Sequence, residues 1–432
     1  MNTHKLNAVG AKLVAGGGGL GSEKTQTSTL RVLISDQAAQ RIRVWLEAAL
    51  DMAALLFFPL LVVLPRGIAV LVSAAGLCAA GLVLAISYPR PRPLLAAAAA
   101  VLGCLLFWGT ASALWSVDLR RGLVMAARLA GLFAAGLALA AAANSIRAPR
   151  RLTLLLLGGF VLGVAMAAAE LASDGALSAP FTERAYQAAR LNRASVSFAI
   201  LLLPITAALV RDGPAIYPLL FATVTAGMIF ALAGTAAKAA LIAGLPVGVL
   251  LYLARGRVAH AAAVVSVLVI ITAPLTFARF QRIPALPETA DAIKLSAGHR
   301  LLIWSFAGDR IAERPLAGWG LDSARAIPRG KDLIRPGQSW MPLHPHNAAL
   351  QLWLELGVPG AVLFALVIAL LWMALARADW PRLYCAAAGA SLTIALIASF
   401  AAYGIWQEWW LGTLGISLFL ILVMARVERP PT

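Results

Sequence analysis

The sequence predicts an all-α, polytopic membrane protein with about 12 transmembrane helices and one large polar loop containing short helices. Three observations predict it. Of 432 residues, 61% are hydrophobic and only 13% charged, against about 25% charged in soluble domains. Mean hydropathy is +0.84, and apolar runs long enough to cross a bilayer recur from residue 46 to residue 426. Arginines also concentrate in alternate connections between those runs, as expected of a chain that threads a membrane repeatedly.

The spans are expected at 46–64, 67–87, 93–115, 121–145, 152–171, 195–211, 214–232, 235–254, 259–278, 347–376, 382–402 and 406–426. Residues 1–44 are polar, with a run of four glycines from Gly16 to Gly19. No apolar stretch follows a short basic start, so a cleavable signal peptide is not expected. This segment is expected to be a largely disordered cytoplasmic tail, helical near Asp36–Arg43. The expected divisions are therefore 1–44 (tail), 45–278 (helices one to nine), 279–346 (loop), 347–426 (helices ten to twelve) and 427–432 (second tail). Short connections on one side hold Arg90 and Arg92, then Arg147, Arg150 and Arg151, then Arg211, Arg255 and Arg257, then Arg377 and Arg382. Those on the other side hold only Arg66, Arg120 and Arg121. The richer side is expected inside, which puts both termini in the cytoplasm and the long loop outside.

The net charge of +17 fits this bias and an anionic membrane surface. The aromatic-rich pattern of single-strand binding proteins is absent, so nucleic acid is not expected as a partner. Cys78, Cys104 and Cys385 each stand alone in apolar runs, which speaks against disulfides and zinc. No P-loop, dinucleotide fingerprint, GxSxG, HExxH or paired-carboxylate signature occurs.

The stretch from Ser296 to Gly360 organises the rest. It holds three of the five histidines, His299, His344 and His346. Residues His299–Glu313 mix apolar and charged side chains at near-helical spacing, predicting a helix on the membrane surface. Gly318-Trp319-Gly320-Leu321 reads as a turn, with Asp322 or Ser323 as N-cap of a following helix. Pro336, Gly337 and Pro342 then break the chain. His344-Pro345-His346-Asn347 opens the tenth span, with Pro345 suited to its first turn. His346 would lie near a helix N-terminus, whose dipole disfavours imidazolium and leaves a neutral base. A capping histidine with interfacial polar neighbours is the other reading of those residues. Asn347, Gln351 and Glu355 follow as one polar stripe, and such residues usually face a bundle interior or a wet cavity. His344 and His346 lack a carboxylate at ligand spacing, so a metal is not expected.

Cations gather on the outer side. Arg190 and Arg193 end the first outer loop, Lys238 lies about one turn inside the eighth span, Arg300 opens the loop helix, and Arg128 lies inside the fourth span. Intramembrane Lys and Arg are expensive and mark functional sites, although snorkelling to the surface is the competing reading. Grouped around one cavity, these five would suit a diphosphate.

The residues Gly298-His299-Arg300, Pro315…Gly318-Trp319-Gly320, and His346-Asn347…Leu350-Gln351…Glu355-Leu356-Gly357…Gly360 resemble those of the O-antigen ligases, within the O-antigen ligase/polymerase superfamily. The resemblance is densest over about 300–365. Where that family often carries a Ser-x-x-Arg or Ser-Arg-Gly element, this chain has Ala236-Ala237-Lys238-Ala239, which keeps the charge but not the planar fork. The resemblance implies a glycosyltransferase of lipopolysaccharide biosynthesis in the bacterial inner membrane, with its active site facing the periplasm. The donor would be a glycan on undecaprenyl diphosphate and the acceptor the lipid A–core oligosaccharide, with no cofactor, metal or nucleotide. Arg193, Lys238, Arg300, Arg190 and Arg128 would hold the diphosphate. His346 would deprotonate the acceptor hydroxyl for in-line inversion, supported by Asn347, Glu355 and His344. An O-antigen polymerase or another lipid-linked-oligosaccharide transferase is the nearest alternative. Protein O-oligosaccharyltransferases usually add a C-terminal soluble region. A secondary transporter would require related halves.

Overall fold

The computed structural model describes residues 21–85, 93–182, 186–293 and 295–427. The expected tails at 1–20 and 428–432 lie outside the described residues. Residues 21–44, expected to be largely disordered, instead belong to the first helix, α1 (Gly21–Val63). No glycine or proline interrupts the chain between Gly21 and Pro59, so the apolar turns can propagate a helix outward once it is nucleated. The chain divides into two units, Met1–Ala48 and Ala49–Thr432. Within the first, Arg43 pairs with Glu47 one turn on at 3.0 Å.

The second unit contains α2 (Gly67–Ala85), α3 (Pro93–Ser112), α4 (Leu119–Ala142), α5 (Pro149–Ala172), α6 (Asn192–Asp212), α7 (Ile216–Ala231) and α8 (Thr235–Ile271). After a loop containing α9 (Ala273–Thr276), α10 (Leu286–Ile293) and α11 (Leu295–Glu313) come α12 (Ala348–Ala376), α13 (Arg382–Ala401) and α14 (Glu408–Val427). Among the described residues, ten helices are long and apolar enough to cross a membrane. The difference from twelve has two sources. The expected span at 214–232 is α7, with only 16 residues. The expected spans at 235–254 and 259–278 run together as α8 (37 residues) but leave helical geometry at Ala254 (φ −145°, ψ 55°), so α8 is two helices joined at a kink and is counted once among the ten. The segment between those spans, Arg255-Gly256-Arg257, has a single glycine and no proline, so one residue leaves the helical region and the chain continues.

α8 packs along α12 and α13, α13 along α6, α12 along α3, and α2, α4 and α14 pack together. Aromatic rings fill the interior at Phe58, Phe160 and Phe198, with Phe58 and Phe198 stacked at 5.3 Å. Buried Asp51 pairs with Arg151, and buried Glu170 accepts from the amides of Leu177 and Ser178 at 3.0 and 3.1 Å.

α11 is not the surface helix that its sequence predicts. Gly298, Leu301, Ile303, Trp304, Phe306, Ala307 and Ile311 are all buried, more than one helical face can present to a membrane. It packs on α10, on the 3-10 turn at Phe277–Arg282 and on α12. A short hairpin, β1 (Leu333–Arg335) and β2 (Gln338–Ser339), turns at Pro336-Gly337. Gly337 supplies the positive φ of 75° that this turn uses.

Candidate active site

The site is built on a break in α12. Gly357 leaves the helix at φ 62°, ψ −153°, a region open almost solely to glycine. Into this break fits the turn Pro315–Gly320. The Val358 amide donates to the Pro315 carbonyl at 3.0 Å, the Trp319 amide to Leu354 at 2.9 Å and the Gly320 amide to Glu355 at 2.8 Å. A Cβ on Gly318 would meet the Glu355 carbonyl at 2.4 Å, and one on Gly357 the Leu316 carbonyl at 2.4 Å. The P-x-x-G-x-G and E-x-G-x-x-G runs are therefore the two halves of one clasp. Gly357→Ala should cost at least the roughly 1–3 kcal/mol of a strained backbone position before the steric clash is counted. Heating the purified protein and following its monodisperse fraction by size exclusion checks this. A variant as heat-resistant as the parent would contradict it.

Glu355 locks the clasp. Fully buried, it accepts from the amides of Asp322 (2.6 Å) and Ala324 (3.4 Å), from Trp406 Nε1 (2.7 Å) and from Gln351 Nε2 (3.0 Å). Gln351 Oε1 in turn accepts from the Ile405 amide at 3.0 Å. The polar stripe on α12 thus ties the 320–324 turn to the 402–407 connection. Asp322 occupies the N-cap position of a short 3-10 turn with φ 53°. Its side chain does not cap, contrary to the sequence expectation, and instead approaches Arg325 at 3.5 Å. Burial pushes the Asp322 carboxyl up, against the opposing charges of Arg325, Arg121 and Arg128.

His346 precedes the helix rather than opening it. Asn347 is the N-cap, accepting from the Leu350 amide at 3.1 Å, so Pro345 lies outside the first helical turn where the sequence placed it. The Pro345 carbonyl accepts from Trp304 Nε1 at 2.9 Å. His346 is held at φ 57°, uncommon for a residue with a Cβ. Its amide donates to His344 Nδ1 at 3.1 Å, and its Nδ1 lies 2.8 Å from the Ala402 carbonyl. A carbonyl can only accept, so Nδ1 carries the hydrogen and Nε2 presents a lone pair. Burial pushes the His346 pKa down to about 4, with Arg300 and His299 adding to the fall and the Ala402 contact opposing it. His344 is 3% exposed and falls to about 2, chiefly through burial and then through His346, Arg325 and Arg300. The His346 ring donates to the Ala402 carbonyl, while Asn347 and Glu355, expected to support it, bond to the Leu350 and Asp322 amides.

Beside this lies a cavity of about 790 Å³. Six arginines line it, Arg66, Arg120, Arg121, Arg128, Arg193 and Arg325, against the carboxylates Asp118, Asp322 and Glu408. Three pairs form: Arg121–Asp118 at 3.5 Å, Arg128–Glu408 at 2.6 Å and Arg325–Asp322 at 3.5 Å. Among the described residues Arg66, Arg120 and Arg193 have no carboxylate partner, which leaves an excess of three positive charges. Arg193 lies over the Trp409 ring at 5.2 Å. Tyr403 donates to the Asn192 carbonyl at 3.1 Å and packs on Trp409 and Trp410. Burial raises the Tyr403 pKa while both Arg193 and Arg300 oppose the rise, so this phenol senses both cations.

Of the five cations singled out in the sequence, Arg128 and Arg193 line the cavity. Arg300 is outside the lining but acts electrostatically on His344, His346 and Tyr403. Arg190 reaches Thr182 at 3.4 Å. Lys238, half-buried in the first turn of α8, is also outside the lining. Arg66, Arg120, Arg121 and Arg325 were missed as site residues. A signal for three of them existed, since Arg66, Arg120 and Arg121 were the basic exceptions on the arginine-poor side.

A family model described as O-antigen ligase matches residues 219–365. Proteins carrying the name "Putative polysaccharide ligase" are 32% identical over 149 residues in Rickettsia conorii, 30% over 149 in Rickettsia felis and 32% over 151 in Rickettsia prowazekii. Each match covers 34% of this chain and 35–36% of the relative, so the chain spans about a third of the length of the curated relatives it matches. The matched region holds the clasp, Arg300 and His346, whereas Arg66, Arg120, Arg121, Arg128, Arg193 and Glu408 lie outside it. Residues 219–365, with the His-Asn…Glu-x-Gly-x-x-Gly run, are thus similar to the O-antigen ligase family model and to the Rickettsia proteins named putative polysaccharide ligases.

Proposed function

We propose that the chain is a metal-independent glycosyltransferase of the O-antigen ligase kind. It moves polysaccharide from undecaprenyl diphosphate to a hydroxyl of the lipid A–core oligosaccharide, at the periplasmic face of the inner membrane. The observation that carries this reading is His346. Its Nδ1 hydrogen is committed to the Ala402 carbonyl and its Nε2 lone pair is available, next to Arg300 and a cavity with three unpaired arginines. Nε2 takes the proton of the acceptor hydroxyl, whose oxygen attacks the anomeric carbon. The carbon–oxygen bond to the diphosphate breaks in line, inverting the centre. Arg193 and Arg300 stabilise the charge that develops on the departing diphosphate.

Lipopolysaccharide from a strain lacking this gene tests the reading. A ligase-null strain should keep lipid A–core and lose the O-antigen ladder. Core carrying a single repeat would indicate a polymerase, and an unchanged ladder would remove both.

The orientation has its own test. The cavity draws on the 64–66, 116–118 and 402–407 connections, the arginine-poor side of the chain. In a protein freed of Cys78, Cys104 and Cys385, a cysteine placed at Gln338 should react with an impermeant reagent added to intact spheroplasts. Reaction only after the membrane is permeabilised would invert the map.

A further inference from the structure

The end of the bundle opposite the arginine-rich cavity carries a second, smaller pocket. It measures about 370 Å³ and is lined by Tyr252, Leu253, Arg255, Asp379, Trp380 and Arg382. α13 joins the two ends, opening at Arg382 and closing at Ala401 beside Tyr403. At 1.5 Å per residue its 20 residues separate them by roughly 30 Å.

The pocket exists because α8 breaks at Ala254. The break lets Arg255 reach the connection after α12, where Nη1 donates to the carbonyls of Ala378 at 2.8 Å and Trp380 at 3.5 Å. Neither carbonyl lies within a helix, so each needs a partner from elsewhere in the chain. Arg255 is therefore partly committed to structure. Arg382, in contrast, stands exposed at the rim, and two arginines face the single carboxylate Asp379. Tyr252 and Trp380 are the amphipathic ring types that collect where hydrocarbon meets water. From the pocket, the face of α8 that leads toward the middle of the bundle is apolar and uncovered. Leu253 is 71% exposed, Leu250 51% and Val249 60%.

We propose that this pocket seats the headgroup phosphate of an anionic glycerophospholipid. Arg382 and the free edge of Arg255 take the phosphate, Trp380 and Tyr252 flank the glycerol, and the acyl chains lie along Val249, Leu250 and Leu253. Basic pockets between membrane helices are where anionic headgroups bind. The apolar track favours a lipid over free phosphate, which would use the arginines but leave that track and both rings without a role. A lipid there holds together the broken helix and the α12–α13 turn at the end of the bundle remote from the chemistry.

The test uses the full chain purified in detergent, with bound lipid read by native mass spectrometry and stability by thermal loss of monodispersity. Phosphatidylglycerol should be retained and should raise the thermal midpoint more than phosphatidylcholine does. Arg382→Gln should weaken phosphatidylglycerol retention roughly fivefold, the worth of one cation at an anionic lipid surface, and leave phosphatidylcholine unchanged. Arg255→Gln is not informative, because it also frees the carbonyls that hold the α12–α13 connection. Trp380→Leu is the second variant and should weaken retention of both lipids. Equal retention of the two lipids by the unmodified protein would overturn the proposal, a comparison that needs no variant to fold. So would unchanged phosphatidylglycerol retention in Arg382→Gln. Inorganic phosphate that matched the stabilisation by phosphatidylglycerol would make this a soluble-anion site and overturn the lipid assignment.

Discussion

His346→Ala should lower glycan transfer by about 10²–10⁴, the usual worth of a general base, while leaving the fold and the donor affinity nearly intact. The ring is oriented through a backbone carbonyl rather than through another side chain, so its removal leaves one carbonyl, Ala402, to be hydrated in a partly open site. His344→Ala should give an intermediate loss. His344 is not placed as a base, but its Nδ1 receives the His346 amide and its Nε2 lies 2.8 Å from Gln407. It therefore braces the positive φ of its neighbour. His299, which contacts the Ser339 carbonyl, and His260, which contacts Gly256 on α8, should tolerate alanine. Transfer by purified protein with a lipid-diphosphate donor checks the order His346, then His344, then His299 and His260. A His346→Ala protein at near-parental rate would leave the site working by position and charge alone.

Arg193→Ala and Arg300→Ala should each reduce kcat/KM by about 10²–10³, the cost of removing one preorganised donor from developing negative charge. Arg193→Lys should recover little, because an ammonium neither stacks on Trp409 nor offers a two-pronged contact to a diphosphate. Tyr403→Phe serves as a calibration. It deletes the hydroxyl that holds the Asn192 carbonyl, next to Arg193, but keeps the ring against Trp409 and Trp410. It should raise KM for the donor more than it lowers kcat. Lys238→Ala should fall well short of Arg193→Ala, since Lys238 does not line the cavity. Equal losses at Lys238 and Arg193 would move the donor site toward the start of α8.

The sequence made most of the bundle legible because crossing a bilayer demands a composition and a length that few other structures need. It was less informative where one residue decides the outcome. At Ala254 a single non-helical residue joins the two expected spans directly, as two helices meeting at a kink rather than through a connecting loop. α11 reads as amphipathic, but α10, α12 and the 3-10 turn before it bury it on several sides, which local periodicity does not encode. In the site, the motif residues Gly318, Gly320, Glu355, Gly357 and His346 were visible because each has a backbone or chemical requirement that restricts residue type. The residues that position them were not. Ala402 acts through its carbonyl, which any residue could provide, and Trp406 and Tyr403 come from a connection 50 residues further on that looks like an ordinary interfacial turn. Arg66, Arg120 and Arg121 were absorbed into the count of loop charges, where their position against the prevailing bias was the clue.

The central claim is that His346 acts as a neutral base poised by burial and neighbouring arginines, and the pH dependence of kcat/KM tests it most directly. A depressed pKa keeps Nε2 unprotonated as pH falls through the ordinary histidine range near 6.5, so kcat/KM should stay level there and fall only toward the value of about 4 set by the site. The bound diphosphate should raise the corresponding limb in kcat, because negative charge beside Arg300 favours imidazolium. In His346→Ala the acid limb should vanish along with most of the rate. A limb centred at or above 6.5 in the parent protein, or one that persists unchanged in His346→Ala, would contradict the assignment.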